Sequence, residues 1–435
     1  MALLLGIDLG TSYFKVGLFD ERGALRGLGR VPVEWAHPAP LHSELEVAEF
    51  WRLLREGLGA ALAQAGASAR AIAAMSYSSQ ASTFLLLDET DSPLTPLVGW
   101  TDTRGTQAEP ALAAFAATDG YARTAGLRGL SEYSAVRKWR WFARHAPDTW
   151  ARTARIMTIS DYFTFALTGE RAGDASTAAL LGILDLATGL RWPEALAKFE
   201  LPPEKFSAWL RPGTACGRMA ARAAELLGVP AGTPLAVGAL DHHAAAIGSG
   251  LGTLAGLSLS TGTVLAAFVL ADTVEPLAGC HHGPHTDGQR FYRLAFDANG
   301  AGELEEFQRT HAPGRSIEEL LALAATATTH EGRAVRDILE RVATTHARLA
   351  RKVGAAGAPA IATGGGARSP LWVQLIADAL DAQVVTATSP ERACLGAAII
   401  AAGAAGWHRS SAEAAAAMVA PGSTFEPRRA RRFRR

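Results

Sequence analysis

The chain has 435 residues, 49% of them hydrophobic and 19% charged, and its formal net charge is zero. That length favours two domains with substantial cores, and the balanced charge gives no global pull toward nucleic acid or a membrane surface. The three cysteines, Cys216, Cys280 and Cys394, show neither metal nor disulfide spacing, which fits a reducing cytoplasm; the apolar start is too short for a signal peptide, and no apolar run is long enough to span a bilayer.

Leu3–Asp20, LLLGIDLGTSYFKVGLFD, reads as strand, tight turn, strand. Asp8 ends the first strand, Gly10 gives the turn backbone freedom, and Thr11 and Ser12 offer hydroxyls beside backbone N–H groups. Such a turn suits a polyphosphate. The carboxylate suits a hydrated Mg²⁺, and Lys15 supplies a positive charge nearby. The plainer alternative is an ordinary hairpin with a surface Asp. Gly23–Val33 continues this sheet, and Glu46–Gln64 has apolar residues at helical spacing. Ala71–Tyr77 and Thr83–Asp88 are strands flanking a polar loop, with Gln80 and Ser82 in position to meet a substrate. Pro96–Arg104 reads as a short strand ending in Trp100, Asp102 and Arg104. These could line a sugar pocket with Tyr133, or form an Arg–Asp pair that only fixes the loop. Arg137–His145 is a helix with aromatics in the core and charges on a solvated face. Ile156–Leu167 reads as helical, and Asp174 can cap the helix that follows.

Pro193–Thr233 is broken by Pro202-Pro203, Pro212-Gly213 and Pro230, as expected near a domain junction. Leu235–Leu240 is a strand that delivers Asp241, followed by a small-residue helix over Ala244–Gly250. Gly256–Ala271, GLSLSTGTVLAAFVLA, repeats the opening design: strand, a turn with Thr261, Gly262 and Thr263, apolar strand. Two such units suggest two related domains facing one ligand. Phe291–Phe296 is a strand before the Asn299–Gly302 turn. Ile317–Leu323 and Val335–Lys352 are helices, Ala360–Thr363 a strand running into Gly364, Gly365 and Gly366, and Leu371–Leu380 a helix. Val384–Thr386 is a strand and Ala393–Ala405 a closing helix. The tail Arg428–Arg435 is expected to be a solvated terminus rather than an arm for RNA or acidic lipid.

Taken in order, DLGTSYFK at Asp8–Lys15, GWTDTRG at Gly99–Gly105, DYFTFALTGE at Asp161–Glu170, GALDHHAAAIGSG at Gly238–Gly250, LSLSTGT at Leu257–Thr263, TGGGARSPLWVQLIADAL at Thr363–Leu380 and ACLGAAIIAA at Ala393–Ala402 make the chain resemble the FGGY family of carbohydrate kinases, the xylulokinase and glycerol kinase relatives. The resemblance implies an α/β protein of two actin-like, ribonuclease-H-like domains with a cleft between them, placed here at residues 1–247 and 248–435. It implies ATP- and Mg²⁺-dependent phosphorylation of a sugar or polyol, a ketose such as a ketopentose first. Asp8 would hold the metal. Gly10, Thr11, Ser12 and Lys15 would form the first phosphate segment; Thr261, Gly262 and Thr263 the second. Gly364, Gly365, Gly366 and Ser369 would form the adenosine segment, with Gln374 and Asp378 on the helix behind. Asp241 matches the general base, which at a strand end can take the proton of an attacking hydroxyl; helix N-capping would also explain an Asp there. Expected partners are the sugar or polyol and ATP or ADP, with no nucleic acid and no membrane; a homodimer is left open. His242 stands where relatives often carry Asn or Gln, and Gln80-Ala81-Ser82 lacks the larger polar residues that contact substrate in glycerol kinase and xylulokinase.

Two other readings compete. Asp241-His242-His243 is the signature of a manganese phosphoesterase class, and Cys280, His281, His282 and His285 could suggest a metal site. Neither has the additional ligand set it would need. A non-catalytic actin-like nucleotide-binding protein would be expected to keep the phosphate segments and lose the base, whereas Asp241 is present. No GxxxxGK[ST] sequence occurs, so ATP would not be held in the Walker manner.

Overall fold

The computed structural model of the chain describes residues 1–428 apart from 263, 298, 299, 301 and 390. Two seven-stranded sheets form its frame. In the first, Leu25–Pro32, Tyr13–Phe19 and Leu3–Leu9 run antiparallel in turn, Ile72–Ser79 and Pro234–Ala236 continue in parallel, and Ala215–Arg218 closes antiparallel. In the second, Phe291–Asp297, Leu265–Ala271 and Leu257–Thr261 run antiparallel, Ala360–Thr363 and Val384–Ala387 continue in parallel, and Pro421–Phe425 closes antiparallel. The same order of strands and directions therefore occurs twice, which bears out the internal repeat seen in the two hydroxyl-bearing hairpins.

The opening strand shows how the first sheet is sandwiched. Its residues alternate between the two faces. Leu3, Leu5, Ile7 and Leu9 join a core with Phe50, Leu53, Leu54 and Leu58 of the Val47–Ala65 helix. On the opposite face Leu4 packs with Ile399, Leu395 and Ala398 of the Arg392–Ala404 helix. Asp8 lies on that second face by the same alternation. Gly6 is required there because a Cβ would come within 1.9 Å of the Cys394 carbonyl oxygen.

Four local expectations change. Ile156–Leu167 is not one helix: Arg155–Thr158 is a strand paired with Phe84–Leu87, and the helix is Ile159–Thr168. A reciprocal capping box between Thr158 and Asp161 sets the boundary. Pro96–Arg104 supplies only Leu97–Val98 as strand. Leu235–Leu240 is split into Pro234–Ala236 and Ala239–Leu240; at the break, a Cβ on Gly238 would lie 1.9 Å from the Tyr77 carbonyl oxygen. The charges of the Ala135–His145 helix are not all solvated, since Lys138 and Arg140 are buried. Asp174 does cap its helix, accepting from the Thr177 amide at 2.7 Å. The Asn299–Gly302 turn and the tail from residue 429 fall on or overlap residues outside those described. No described helix is long and apolar enough to cross a membrane.

Candidate active site

Strand register brings two carboxylates to one edge of the first sheet. Asp8 is level with Ser78, and Ser78 is level with Ala239 on the other side. Asp241 follows two residues later, so the two acids sit at the same ends of strands separated by one strand, a lateral offset of about 10 Å from strand spacing. Asp8 is 6% exposed; it accepts from the Ser78 hydroxyl at 2.9 Å and from Lys15 Nζ at 3.3 Å. Burial raises its pKa, Lys15 opposes that, and the charge of Asp241 pushes the same way as burial. Lys15 also pairs with Glu391 at 3.4 Å. Glu391 precedes the Arg392–Ala404 helix and carries no motif that marked it in the sequence.

Asp241 is the first residue of its helix and not the cap. Leu240 occupies the cap position without a side-chain bond, and among the described residues Asp241 Oδ1 accepts only from the adjacent His242 amide, at 2.6 Å. The capping account of this acid therefore does not describe the structure.

The first turn is braced from outside. Thr11 Oγ1 accepts from the Trp100 indole at 2.7 Å and donates to Gln80 Oε1 at 3.4 Å. Gln80 Nε2 donates to the Gly10 carbonyl at 3.3 Å, and Trp35 donates to the Thr11 carbonyl at 2.8 Å. Gly10 is needed for close approach rather than for a left-handed φ, because its Cβ would meet the Tyr13 carbonyl oxygen at 2.7 Å. Ser12 is exposed, and its carbonyl accepts from Val33. Among the proposed sugar contacts, Ser82 is held at φ 62°, and Tyr133, 40% exposed, sets its ring edge-on to Trp100 at 5.4 Å. Asp102 is fully buried, its oxygens engaged by Arg104 Nε at 2.9 Å and the Ser43 amide at 2.8 Å. Of the two roles open to it, the arrangement is that of the loop-fixing pair.

The second turn and the glycine run meet at a cavity of about 770 Å³ lined by Thr261, Gly262, Gly365, Gly366, Arg368 and Ser369 on one side. Leu304, Glu305, Ile317, Glu318 and Leu321 line the other, from helices Gly302–His311 and Ile317–Thr326. Thr261 Oγ1 donates to the Thr363 carbonyl, tying the two segments together. Gly364 has φ 86° and faces Thr261 backbone, where a Cβ would come within 2.9 Å. Ser369 caps the Pro370–Leu380 helix through the Trp372 amide. Gln374 and Asp378 face away from this cavity's contacts and hold Glu426 and Arg428 backbone instead. Thr263 lies outside the described residues. The far wall was not legible as a site, because an amphipathic helix shows its buried face in sequence but not what that face borders.

The histidines fill other roles. His243 is buried and bonds His285 at 2.8 Å; burial pulls its pKa well down and His285 adds to that. His282 bonds the Gly126 carbonyl and Arg293, and Cys280 donates to the Lys352 carbonyl. Among the described residues no group of three or more His, Cys, Asp and Glu is placed to hold a metal ion.

Residues 3–248 match the model for the N-terminal domain of the FGGY family of carbohydrate kinases, and residues 302–405 match its C-terminal domain. The chain belongs to the FGGY family of carbohydrate kinases. Its fold, two actin-like domains with a cleft between them, is that of solved FGGY kinases. A xyloylose kinase from Brucella ovis superposes with TM-score 0.86 at 23% identity, covering 98% of this chain and 95% of the other. Plasmodium falciparum glycerol kinase with ADP superposes with TM-score 0.83 at 16% identity, covering 98% and 94%. Among curated proteins, an autoinducer-2 kinase from Salmonella choleraesuis is 30% identical over 254 residues, 57% of this chain and 47% of that protein. An L-xylulose/3-keto-L-gulonate kinase from Escherichia coli is 28% identical over 266 residues, 57% and 50%. The chain thus aligns with about half the length of these curated relatives.

Proposed function

We propose that this FGGY chain transfers the γ-phosphoryl group of ATP to a hydroxyl of a sugar or polyol, with Asp241 as the general base. The observation that carries the reading is the placement of Asp241 two strands from Asp8 at one sheet edge, with a side chain that, among the described residues, no other element engages by a hydrogen bond. A carboxylate so placed can accept the hydroxyl proton as the oxygen attacks phosphorus. The adenosine end of ATP would occupy the cavity between Gly364–Gly366 and the two helices opposite. Gly10, Thr11, Ser12 and Lys15 on one side and Thr261, Gly262 and Thr263 on the other would hold the phosphates. Asp8 fits Mg²⁺: it is a buried acid, only partly offset by Lys15, whose charge is further disfavoured by that of Asp241, a setting that a hard cation with few protein ligands relieves. Bound there, the ion would neutralise charge on the phosphates. The domains would divide after residue 247. The curated relatives act on autoinducer-2 and on L-xylulose or 3-keto-L-gulonate, as their names state, which supports a ketose as the first substrate class. Three free, buried cysteines suit a reducing cytoplasm.

A panel of ketoses, polyols and aldoses in an ADP-release assay tests the reading. With the best substrate, Asp241→Asn is expected to lower kcat by about 10²–10⁴-fold and to leave ATP affinity within about twofold of wild type, since the asparagine adds no bulk. Turnover unchanged by the substitution would remove Asp241 from the mechanism. ATP binding without turnover on any substrate would favour a nucleotide-binding regulatory protein.

A further inference from the structure

Lys138 lies within the Ala135–His145 helix and has no exposed surface. Its Nζ donates to the carbonyls of Gly99 at 2.8 Å, Ser82 at 3.0 Å and Trp100 at 3.3 Å. An ammonium group has three N–H donors, and here each has a carbonyl. The Phe84 ring lies 5.8 Å away, and the charged groups that act on Lys138 are Asp102 and Arg104 of the Gly99–Arg104 turn. Asp102 is already engaged by Arg104 and the Ser43 amide, so its carboxylate does not pair directly with Lys138; burial pulls the Lys138 pKa down to about 7, and the three peptide dipoles solvate its ammonium form. Burying an ammonium is costly, and Met would fill the same space without that cost. Packing alone therefore does not account for this residue.

The three carbonyls belong to the two segments that carry the proposed sugar contacts. Ser82 sits in the loop after Gln80, and Trp100 in the turn whose indole bonds Thr11. Both polar ends of Trp100 are held: its amide donates to Thr83 Oγ1 at 2.9 Å and its carbonyl accepts from Lys138. We propose that Lys138 is a positioning residue that clamps the Gln80–Thr83 loop to the Gly99–Arg104 turn and so fixes the wall against which the sugar is held. This rests on the kinase reading for its consequence, though not for the clamp itself.

The test uses the full chain with Lys138→Met and Lys138→Gln. The expected result is a KM for sugar raised tenfold or more, a KM for ATP within twofold of wild type, and ADP affinity unchanged. A KM for sugar equal to wild type would overturn the proposal, as would parallel rises in both KM values. Hydrogen exchange on the wild-type chain supplies an independent readout if neither variant folds. Segments 80–84, 98–104 and 135–142 are expected to lose amide protection together as denaturant is added, and separate openings would overturn the clamp. If the wild-type chain phosphorylates nothing in the panel, the kinase reading fails while the exchange result still decides the role of Lys138.

Discussion

Asp161 shows how one buried side chain links local structure to pH. It forms a capping box with Thr158, accepting from the Thr158 amide at 3.4 Å, and faces Gly173, where a Cβ would lie 1.7 Å from its Oδ1. Burial pushes its pKa up to about 7, opposed by the Thr158 hydrogen bond, while the charge of Asp174 pushes with burial. Between its ordinary pKa of 3.8 and 7 the folded chain holds a proton that the unfolded chain has released. Stability from this group is therefore fully present below pH 4 and is lost as pH rises to about 7. Asp161→Asn keeps a carbonyl acceptor and removes the ionisation. Urea melts at several pH values are expected to show the variant gaining on wild type from pH 4 to pH 7, by up to about 4 kcal/mol. A constant difference across that range would reject the assignment. Trp100→Phe tests the brace on the first turn. Losing the indole donor to Thr11 should cost about 1 kcal/mol, read as a severalfold higher KM for ATP, whose phosphates that turn would hold; a KM for ATP equal to wild type would reject the brace.

At the scale of elements, the helices Asp241–Gly248 and Arg392–Ala404 cross at backbone contact. A Cβ on Gly396 would lie 1.8 Å from the Ala244 carbonyl oxygen, and one on Gly248 would lie 2.0 Å from that of Arg392. Gly396→Ala must separate the helices and should cost about 1–3 kcal/mol in urea unfolding. Gly403→Ala, in the same helix, meets nothing within 4 Å and should be neutral or gain up to about 1 kcal/mol. Equal effects of the two would contradict the close crossing. This contact explains what the sequence could not show. The two hairpins were legible because alternation and turn residues are local signals. The position of the Arg392–Ala404 helix on the first sheet, more than 380 residues from the strand it covers, leaves no local signature. The same holds for Lys138, where a Trp/Arg-rich helix suggests a solvated charge, while the three carbonyls that bury it come from two distant segments. The start of the Ile159–Thr168 helix was missed for a different reason. Ile156 and Met157 continue the apolar spacing, and only the Thr158–Asp161 box breaks it.

In the whole molecule the two sheets are joined through a small apolar cluster and a charged link. Leu240 and Ala246 pack with Phe268, Tyr292 and Leu294 of the second sheet, and Lys15 bridges Asp8 to Glu391. At the crossing of the two helices both backbones are in contact and neither can slide without a clash, so a closing motion of the halves, if the proposed reaction uses one, would pivot there. In the proposed reaction a sugar bound beside Trp100 and a nucleotide bound between Gly366 and Glu318 would be held by different halves, so closure would bring hydroxyl and phosphorus together. Closure would also exclude water, which otherwise competes for the phosphoryl group. ATP hydrolysis without sugar is therefore expected to run at least about 100-fold slower than sugar phosphorylation, the smallest gain usual for a positioned acceptor and base. Small-angle scattering should show a smaller radius of gyration with sugar and a non-hydrolysable ATP analogue together than with either alone. Rapid sugar-independent hydrolysis, or a radius unaffected by the pair of ligands, would mean that the halves are already closed and that the pivot does not gate the reaction.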